Sequence, residues 1–510
     1  MSDAQDIGEL RAATVHGLRW TVIARPLVEC ILLASMVVLA RLIPPADFGH
    51  YATALVISGF GAASVSALTT ALVQRADLEH RHLQAAQALA LTFGAVLVVL
   101  SLIAASVVVE PIFGAATAGL VRLGAPGAFV AAAGAVPFAV LQRRLQFRRL
   151  AILDVVGSGL RGLGSVALAL AGLNGSALVL GAILGTAAQT GIAWAWAPPP
   201  LPRPSWHASK DLLHYGTPNW LAAVSWIGFA NCDYAIVGAR LGAVSAGLYF
   251  RAYTLAVEYQ KKVSGVMASV GFPVLARTRN SDDMGELRGQ MVGIVTVTLF
   301  PCLALLAIVA PVAVPFVFGA EWQAAVAPTQ VLAIGGASVI VIDAAGATLM
   351  AAARPRAVLA FGWAHFVTYA IAVWFTAPYG LTAVAGAAAV VHTAFVFVAY
   401  SLMFRRADAS VAARIWHDVA PALCSCAGLV ALALPVSAAM TSADTPAPVY
   451  LAVVTLLGVA GYLAVLRTRF VPTWRLMAGF VLHLIPQRAR RRQAVATPVE
   501  VLAESEAVGV

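Results

Sequence analysis

The run Ala40-Arg41-Leu42-Ile43-Pro44-Pro45-Ala46-Asp47-Phe48-Gly49-His50-Tyr51 separates two long apolar stretches. A second run, Ala239-Arg240-Leu241-Gly242-Ala243-Val244-Ser245-Ala246-Gly247-Leu248-Tyr249, does the same, with Gly247 lying 198 residues after Gly49. Ala-Arg-Leu leads through a short spacer to Gly-x-Tyr in both. Outward from the first run lie apolar spans near 19–41, 51–73, 85–109, 118–141, 151–172 and 176–197. Outward from the second lie spans near 217–240, 248–275, 289–310, 324–351, 357–377 and 380–403, followed by two more near 418–438 and 447–466. Each is long enough to cross about 30 Å of hydrocarbon as a helix. The expected fold class is therefore an all-α polytopic membrane protein of about fourteen transmembrane helices.

Composition agrees. Apolar residues make up 61% of 510 and charged residues 11%, with a mean hydropathy of +0.86. A soluble surface needs about a quarter charged residues, so lipid must be the solvent for much of this chain. The net charge of +10 does not point to nucleic acid, because the basic residues sit in short clusters between apolar spans. The five cysteines all lie inside apolar stretches and suit buried packing; no zinc or disulfide spacing appears. Residues 1–15 are polar and the first apolar span is too long for a signal h-region, so it reads as a retained first helix.

With the N-terminus inside, the inner connections collect Arg75, Arg81, Arg143, Arg144, Arg148, Arg149, Arg203, Lys210, Arg277, Arg279, Arg288, Arg354, Arg356, Arg405, Arg406 and Arg414. The outer connections near 42–50, 110–117, 173–175, 241–247, 311–323, 378–379 and 439–446 contain no Lys or Arg. That asymmetry follows the positive-inside rule, and one span more or fewer would spoil it. Six spans per repeat is an even number, so the two units share an orientation and expect a site at their interface. The organisation is then a first lobe at 1–197, a proline-rich cytoplasmic linker at 198–216, a second lobe at 217–403, two added spans at 404–466 and a basic cytoplasmic tail at 467–510. The outer loops are too short to form a domain. The chain has three lysines, none following a glycine, so no P-loop exists and no enzymatic or cofactor chemistry is expected.

Charge inside a span costs about 2.5–3.5 kcal/mol at the bilayer centre and usually faces protein or water. Span one carries Arg25 and Glu29, span five Asp154 and Arg161, and span seven Asn231 and Asp233. Span eight holds Arg251, Glu258, Lys261 and Lys262, with 251, 258 and 262 on one helical stripe. Asp343 lies in span ten, and His365 and His392 in spans eleven and twelve. Arg25 with Glu29 and Glu258 with Lys262 have a second reading as internal salt bridges; Arg251 has one as a snorkelling residue, and the histidines one as packing residues. Lys261 and Lys262 are adjacent and cannot both pair with Glu258 on one face, which points to a cationic, water-filled cavity suited to phosphate. Candidate substrate-binding residues are Arg25, Arg161, Arg251, Lys261 and Lys262; candidate ion-coupling residues are Glu29, Asp233, Glu258 and Asp343.

The run Val38–Tyr51 resembles the first outer turn of Wzx-like oligosaccharide flippases of the multidrug/oligosaccharidyl-lipid/polysaccharide exporter superfamily. Residues Ala71–Leu78, Leu141–Leu150, Asp233–Gly242, Gly247–Tyr253 and Phe318–Trp322 resemble later segments of the same family, in collinear order over about residues 15–405. The resemblance implies a two-lobe transporter that alternately opens inward and outward and moves polyprenyl-pyrophosphate-linked saccharides across the inner membrane. Its implied partners are the lipid-linked oligosaccharide, membrane lipids, H+ or Na+, and polysaccharide polymerase or export proteins. Lys261-Lys262 depart from the family pattern, so their role rests on the physics alone. An ion-coupled organic-cation antiporter would share the architecture but wants an acidic cavity, and an inactive scaffold would be indifferent to cavity charge.

Overall fold

A computed structural model describes residues 26–75, 78–258, 260, 281–351, 355–403, 410–475 and 477. These residues contain helix, turn and coil, with no strand among them. In chain order the helices are α1 (26–42), α2 (Pro45–Gln74), α3 (His80–Ala104), α4 (Glu110–Arg143), α5 (Phe147–Leu170) and α6 (Asn174–Trp196). A continuous helical run Trp206–Tyr253 is broken at Gly242 into α7 (206–241) and α8 (from 243), and α8 continues into a π turn at Thr254–Glu258. There follow α9 (Ser281–Phe318), α10 (Val326–Ala351), α11 (Pro355–Thr376), α12 (Leu381–Met403), α13 (Val411–Ser442) and α14 (Ala447–Arg469). Nine segments of the described residues are long and apolar enough to cross a membrane; one of them, His80–Arg143, holds both α3 and α4. Large apolar side chains such as Leu163, Phe375, Val390 and Leu456 stand exposed on the outside of the bundle. Water would penalise that surface, whereas hydrocarbon accepts it. The chain is an all-α, multi-pass membrane protein, as its sequence predicts.

One end of the bundle is closed by very tight turns. Gly114 (φ 84°, ψ 168°) and Gly242 (φ 84°, ψ 174°) occupy a backbone region open essentially to glycine alone, and each reverses the chain without a loop. Gly319 and Gly380 turn the chain in the same way after α9 and α11. These are the short arginine-free connections of the sequence. The opposite end carries the arginines. There Arg143 donates to the carbonyls of Leu72, Val73 and Arg75, which α2 leaves unsatisfied at its C-terminus. The chain between the expected sixth and seventh spans is less of a linker than its prolines suggest. Helix α7 begins at Trp206, well before residue 217, because Leu212 is buried against the cluster of Leu72, Val136 and Ala139.

Lipid removes the hydrophobic drive between helices, so close approach of small residues must hold them. Gly181 and Gly185 on α6 bring it against the backbone of α5 at Arg161, Ser165 and Gly157, and Gly428 and Gly461 join α13 to α14. The tightest approach joins the repeated runs themselves. A Cβ on Gly49 would strike the carbonyl of Ala243, and a Cβ on Gly247 would strike the carbonyl of Pro45. The contact is reciprocal, residue for residue, as at an interface with two-fold symmetry. Helix α2 packs on the α7–α8 run more extensively than any other described pair of helices does.

A side chain at this crossing forces the helices apart, at about 1–3 kcal/mol for overpacking. Gly49→Val and Gly247→Val should therefore each cut the yield of monodisperse protein by about fivefold or more. Gly119→Ala, where an added Cβ meets open space, should leave it unchanged. Fluorescence-detected size-exclusion chromatography of tagged protein reads the difference.

Candidate functional site

Around the Gly49–Gly247 crossing the two halves of the chain cap each other's helices. The C-terminus of α1 leaves the carbonyl of Ala40 unsatisfied, and the indole N–H of Trp322 donates to it at 2.9 Å. The C-terminus of α9 leaves those of Phe316 and Val317, and Arg41 donates to both, at 2.6 and 2.9 Å. Arg251 lies in the same seal, 1% exposed, with its guanidinium 4.5, 4.8 and 5.0 Å from the ring centres of Phe48, Trp322 and Phe318. Three aromatic faces around a desolvated cation attract it through their quadrupoles. His50 bonds Thr117 at 2.8 Å beside it. The glycine-turn end is shut in this conformation.

Lined mostly by the first half of the chain, with Asn231 of α7 added, lies a cavity of about 380 Å³. Tyr51, Ser101, Thr186 and Asn231 give it polar groups, and among the described residues Arg161 on α5 is the one charged residue of its lining. Its floor and walls are otherwise small and aliphatic residues of α2, α3, α4 and α6, and no carboxylate lines it among the described residues. One strongly donating cation among hydroxyl and amide groups suits an anionic, hydroxyl-rich ligand.

A third cluster is fully inside the second half. Asp233 on α7 is 0% exposed and accepts from the Tyr369 hydroxyl at 2.8 Å, and Tyr369 meets Tyr249 of α8 at 3.3 Å. His365 Nε2 and His392 Nδ1 face each other at 3.1 Å, with the His392 ring against Tyr369.

The model of the family described as "Polysaccharide biosynthesis protein" matches residues 38–327. The chain belongs to that polysaccharide biosynthesis family. It is 28% identical to the lipopolysaccharide biosynthesis protein WzxC of Escherichia coli (strain K12) over 64% of this chain and 68% of that one. It is 25% identical to the teichuronic acid biosynthesis protein TuaB of Bacillus subtilis (strain 168) over 66% of this chain and 70% of that one. Its fold is that of a lipid II flippase, MurJ, in an inward closed conformation, with a TM-score of 0.68 at 12% identity over 92% of this chain and all of that one. An inward-facing MATE multidrug transporter of the MOP superfamily shares the fold at a TM-score of 0.57 and 14% identity, over 76% of this chain and 94% of that one. The Wzx-like resemblance of the sequence stands, and the solved structures share its fold.

Among the expected site residues of this family member, Arg161 lines the cavity. Arg251 does not line it; it is walled into the aromatic seal, because its stripe on span eight turns toward Phe48 and Trp322. Asp233 faces the tyrosine–histidine cluster. Glu29, Glu258 and Asp343 are half-buried on α1, the π turn and α10. Arg25, Lys261 and Lys262 lie outside the described residues. Three features escaped the sequence reading. Arg41 and Arg240 look like interfacial anchors, yet Arg41 caps α9 and Arg240 stacks on Trp374 at 4.6 Å. Arg122, near the end of α4, pairs with Glu110, twelve residues upstream. Asp418 on α13 accepts from the Tyr400 hydroxyl at 3.1 Å. The histidine pairing was legible only as two apolar-helix histidines on neighbouring spans.

The seal predicts a stability order. Trp322→Phe loses the bond to Ala40, worth about 1 kcal/mol, and Trp322→Ala loses about 3–5 kcal/mol with the packing. Trp416→Ala, at a residue 59% exposed, should stay within about 0.5 kcal/mol. Thermal unfolding of the detergent-solubilised protein ranks the three.

Proposed function

We propose that this protein is a flippase that moves polyprenyl-pyrophosphate-linked oligosaccharide from the cytoplasmic to the outer leaflet of the bacterial inner membrane by alternating access. The observation that carries the reading is the cavity held by Arg161 beneath a shut glycine-turn end. In this scheme 1–197 and 217–403 form two lobes joined by the 198–216 linker, 404–466 adds two helices, and both termini are cytoplasmic. The arginine-rich end is the cytoplasmic one. The pyrophosphate enters there, drawn by Arg161 together with Arg25, Lys261 and Lys262. The sugars occupy the wet cavity beside Asn231, Ser101 and Thr186, and the polyprenyl tail stays in lipid. Parting of the seal then releases the head group outside.

Two observations weigh against the organic-cation antiporter. Its cargo wants carboxylates, and among the described residues the cavity lining has none. The relatives WzxC and TuaB carry biosynthesis of lipopolysaccharide and teichuronic acid in their names, not drug export.

Deletion in the native host should leave lipid-linked oligosaccharide on the cytoplasmic face. Restoring the gene with Arg161→Gln should leave translocation reduced at least about tenfold, as expected for loss of a charge-assisted contact of 1.5–3 kcal/mol, with protein level unchanged. Lys261→Gln/Lys262→Gln should act in the same direction. Normal export in both would sink the anionic-cargo reading, and new drug sensitivity without oligosaccharide build-up would favour the antiporter.

A further inference from the structure

The buried cluster on the far side of α7 has the chemistry of a proton site. We infer that His365, His392, Asp233 and Tyr369 bind one proton per cycle and couple its movement to the cavity; the inference rests on the transport reading above.

The His365–His392 contact is nitrogen to nitrogen at 3.1 Å, with the two residues 4% and 1% exposed. When both rings are neutral, one donates and the other accepts. A single added proton, on either ring, keeps that bond and makes it charge-assisted, so it strengthens. A second would set two N–H groups against each other and break it. The pair therefore holds one extra proton and no more. Asp233 supplies the counter-charge through Tyr369, whose hydroxyl donates to the carboxylate at 2.8 Å and whose ring lies 4.9 Å from that of His392. A buried carboxylate is costly in a low dielectric, and a proton taken up beside it offsets that cost.

The surroundings are hydroxyl, thiol and carboxyl groups, or apolar rings. Helix α7 adds Cys232 and Tyr234, and α8 adds Tyr249, Tyr253 and Glu258, with Arg251 turned into its own aromatic box. Helix α10 carries Asp343, half-buried, while Phe229 and Phe395 pack on His365 with centroids 4.4 and 4.3 Å away. Among the described residues no group of three His, Cys, Asp or Glu side chains is placed to hold a metal. The imidazole pair points to a proton instead.

Coupling follows from the helix geometry. Asn231 lines the first-half cavity and Asp233 faces the histidines. Two residues along an α-helix are about 200° apart, so α7 is the common wall of both sites. Any shift of α7 that accompanies protonation is felt by the cavity.

The test uses the full-length protein in liposomes adsorbed on a solid-supported membrane, with no glycan present. Stepping the external pH downward should displace charge in the wild type, and a sodium step at constant pH should not. His365→Gln, His392→Gln and Asp233→Asn should each reduce the pH-step transient about fivefold or more, in proteins that elute monodisperse. Tyr369→Phe keeps the ring and removes only the link, and it should reduce the transient as well. Transients in the histidine and Tyr369 variants within about twofold of wild type would overturn the inference. So would a sodium-step transient that Asp233→Asn abolishes, which would make the cluster a sodium site. Because the measurement needs no cargo, its failure leaves the Arg161 result in cells to judge the flippase reading separately.

Discussion

Gly49 and Gly247 let α2 and α8 meet backbone to backbone, each against the carbonyl of the other's first turn. The architecture depends on that crossing. Apolar side chains gain nothing by leaving lipid for protein, so two large helical units need a contact where dispersion and backbone dipoles act at short range. Only glycine at both positions permits it. The two glycines occupy matching places in the repeated runs, so the same residue type serves both halves of the contact. The crossing also sets where everything else lies. It brings the C-termini of α1 and α9 close enough for Trp322 and Arg41 to satisfy each other's stranded carbonyls. It also draws Phe48 over Arg251.

The legible part of this fold was whatever leaves a one-dimensional trace. Arginine-free turns, apolar spans and the Ala-Arg-Leu repeat follow from the solvent and from chain reversal, and both act on residues adjacent in sequence. Side-chain destinations are a different matter. The 251–258–262 stripe rests on α-helical periodicity, and periodicity says nothing about the helix opposite that face; Lys262 lies outside the described residues. Opposite Arg251 stand three aromatic rings rather than water. Arg122 was overlooked for a related reason: its partner Glu110 lies beyond the Gly114 reversal, too far for an i,i+4 reading. His365 and His392 resembled packing residues because each alone is an ordinary buried histidine; their meaning comes from being opposed across 3.1 Å.

Arg161 shows the converse. A mid-span arginine on a helix with several glycines predicts a cavity, since charge in lipid must find water or protein. It finds the cavity lined by Asn231 and Thr186. The small residues that bring α6 close to α5, Gly181 and Gly185, sit against the backbone of Arg161 and of its neighbours Ser165 and Gly157. Tight packing on one side of Arg161 thus leaves its side chain to the open side. Packing and function use the same turn of α5.

The chemistry of the seal bears on how such a molecule can open. An interlock made only of aliphatic side chains would expose all of its buried area to water when the halves part, at about 25 cal/mol per Å². Here much of the closure is polar: two arginines and an indole N–H, held by carbonyls and ring faces. Each of those groups has a good alternative partner in water, so hydration offsets most of what parting removes. Arg251 in particular trades three ring faces for a hydration shell, and it does so at the mouth through which a pyrophosphate would leave. A seal built this way is specific when shut and loses less on parting than an aliphatic one would.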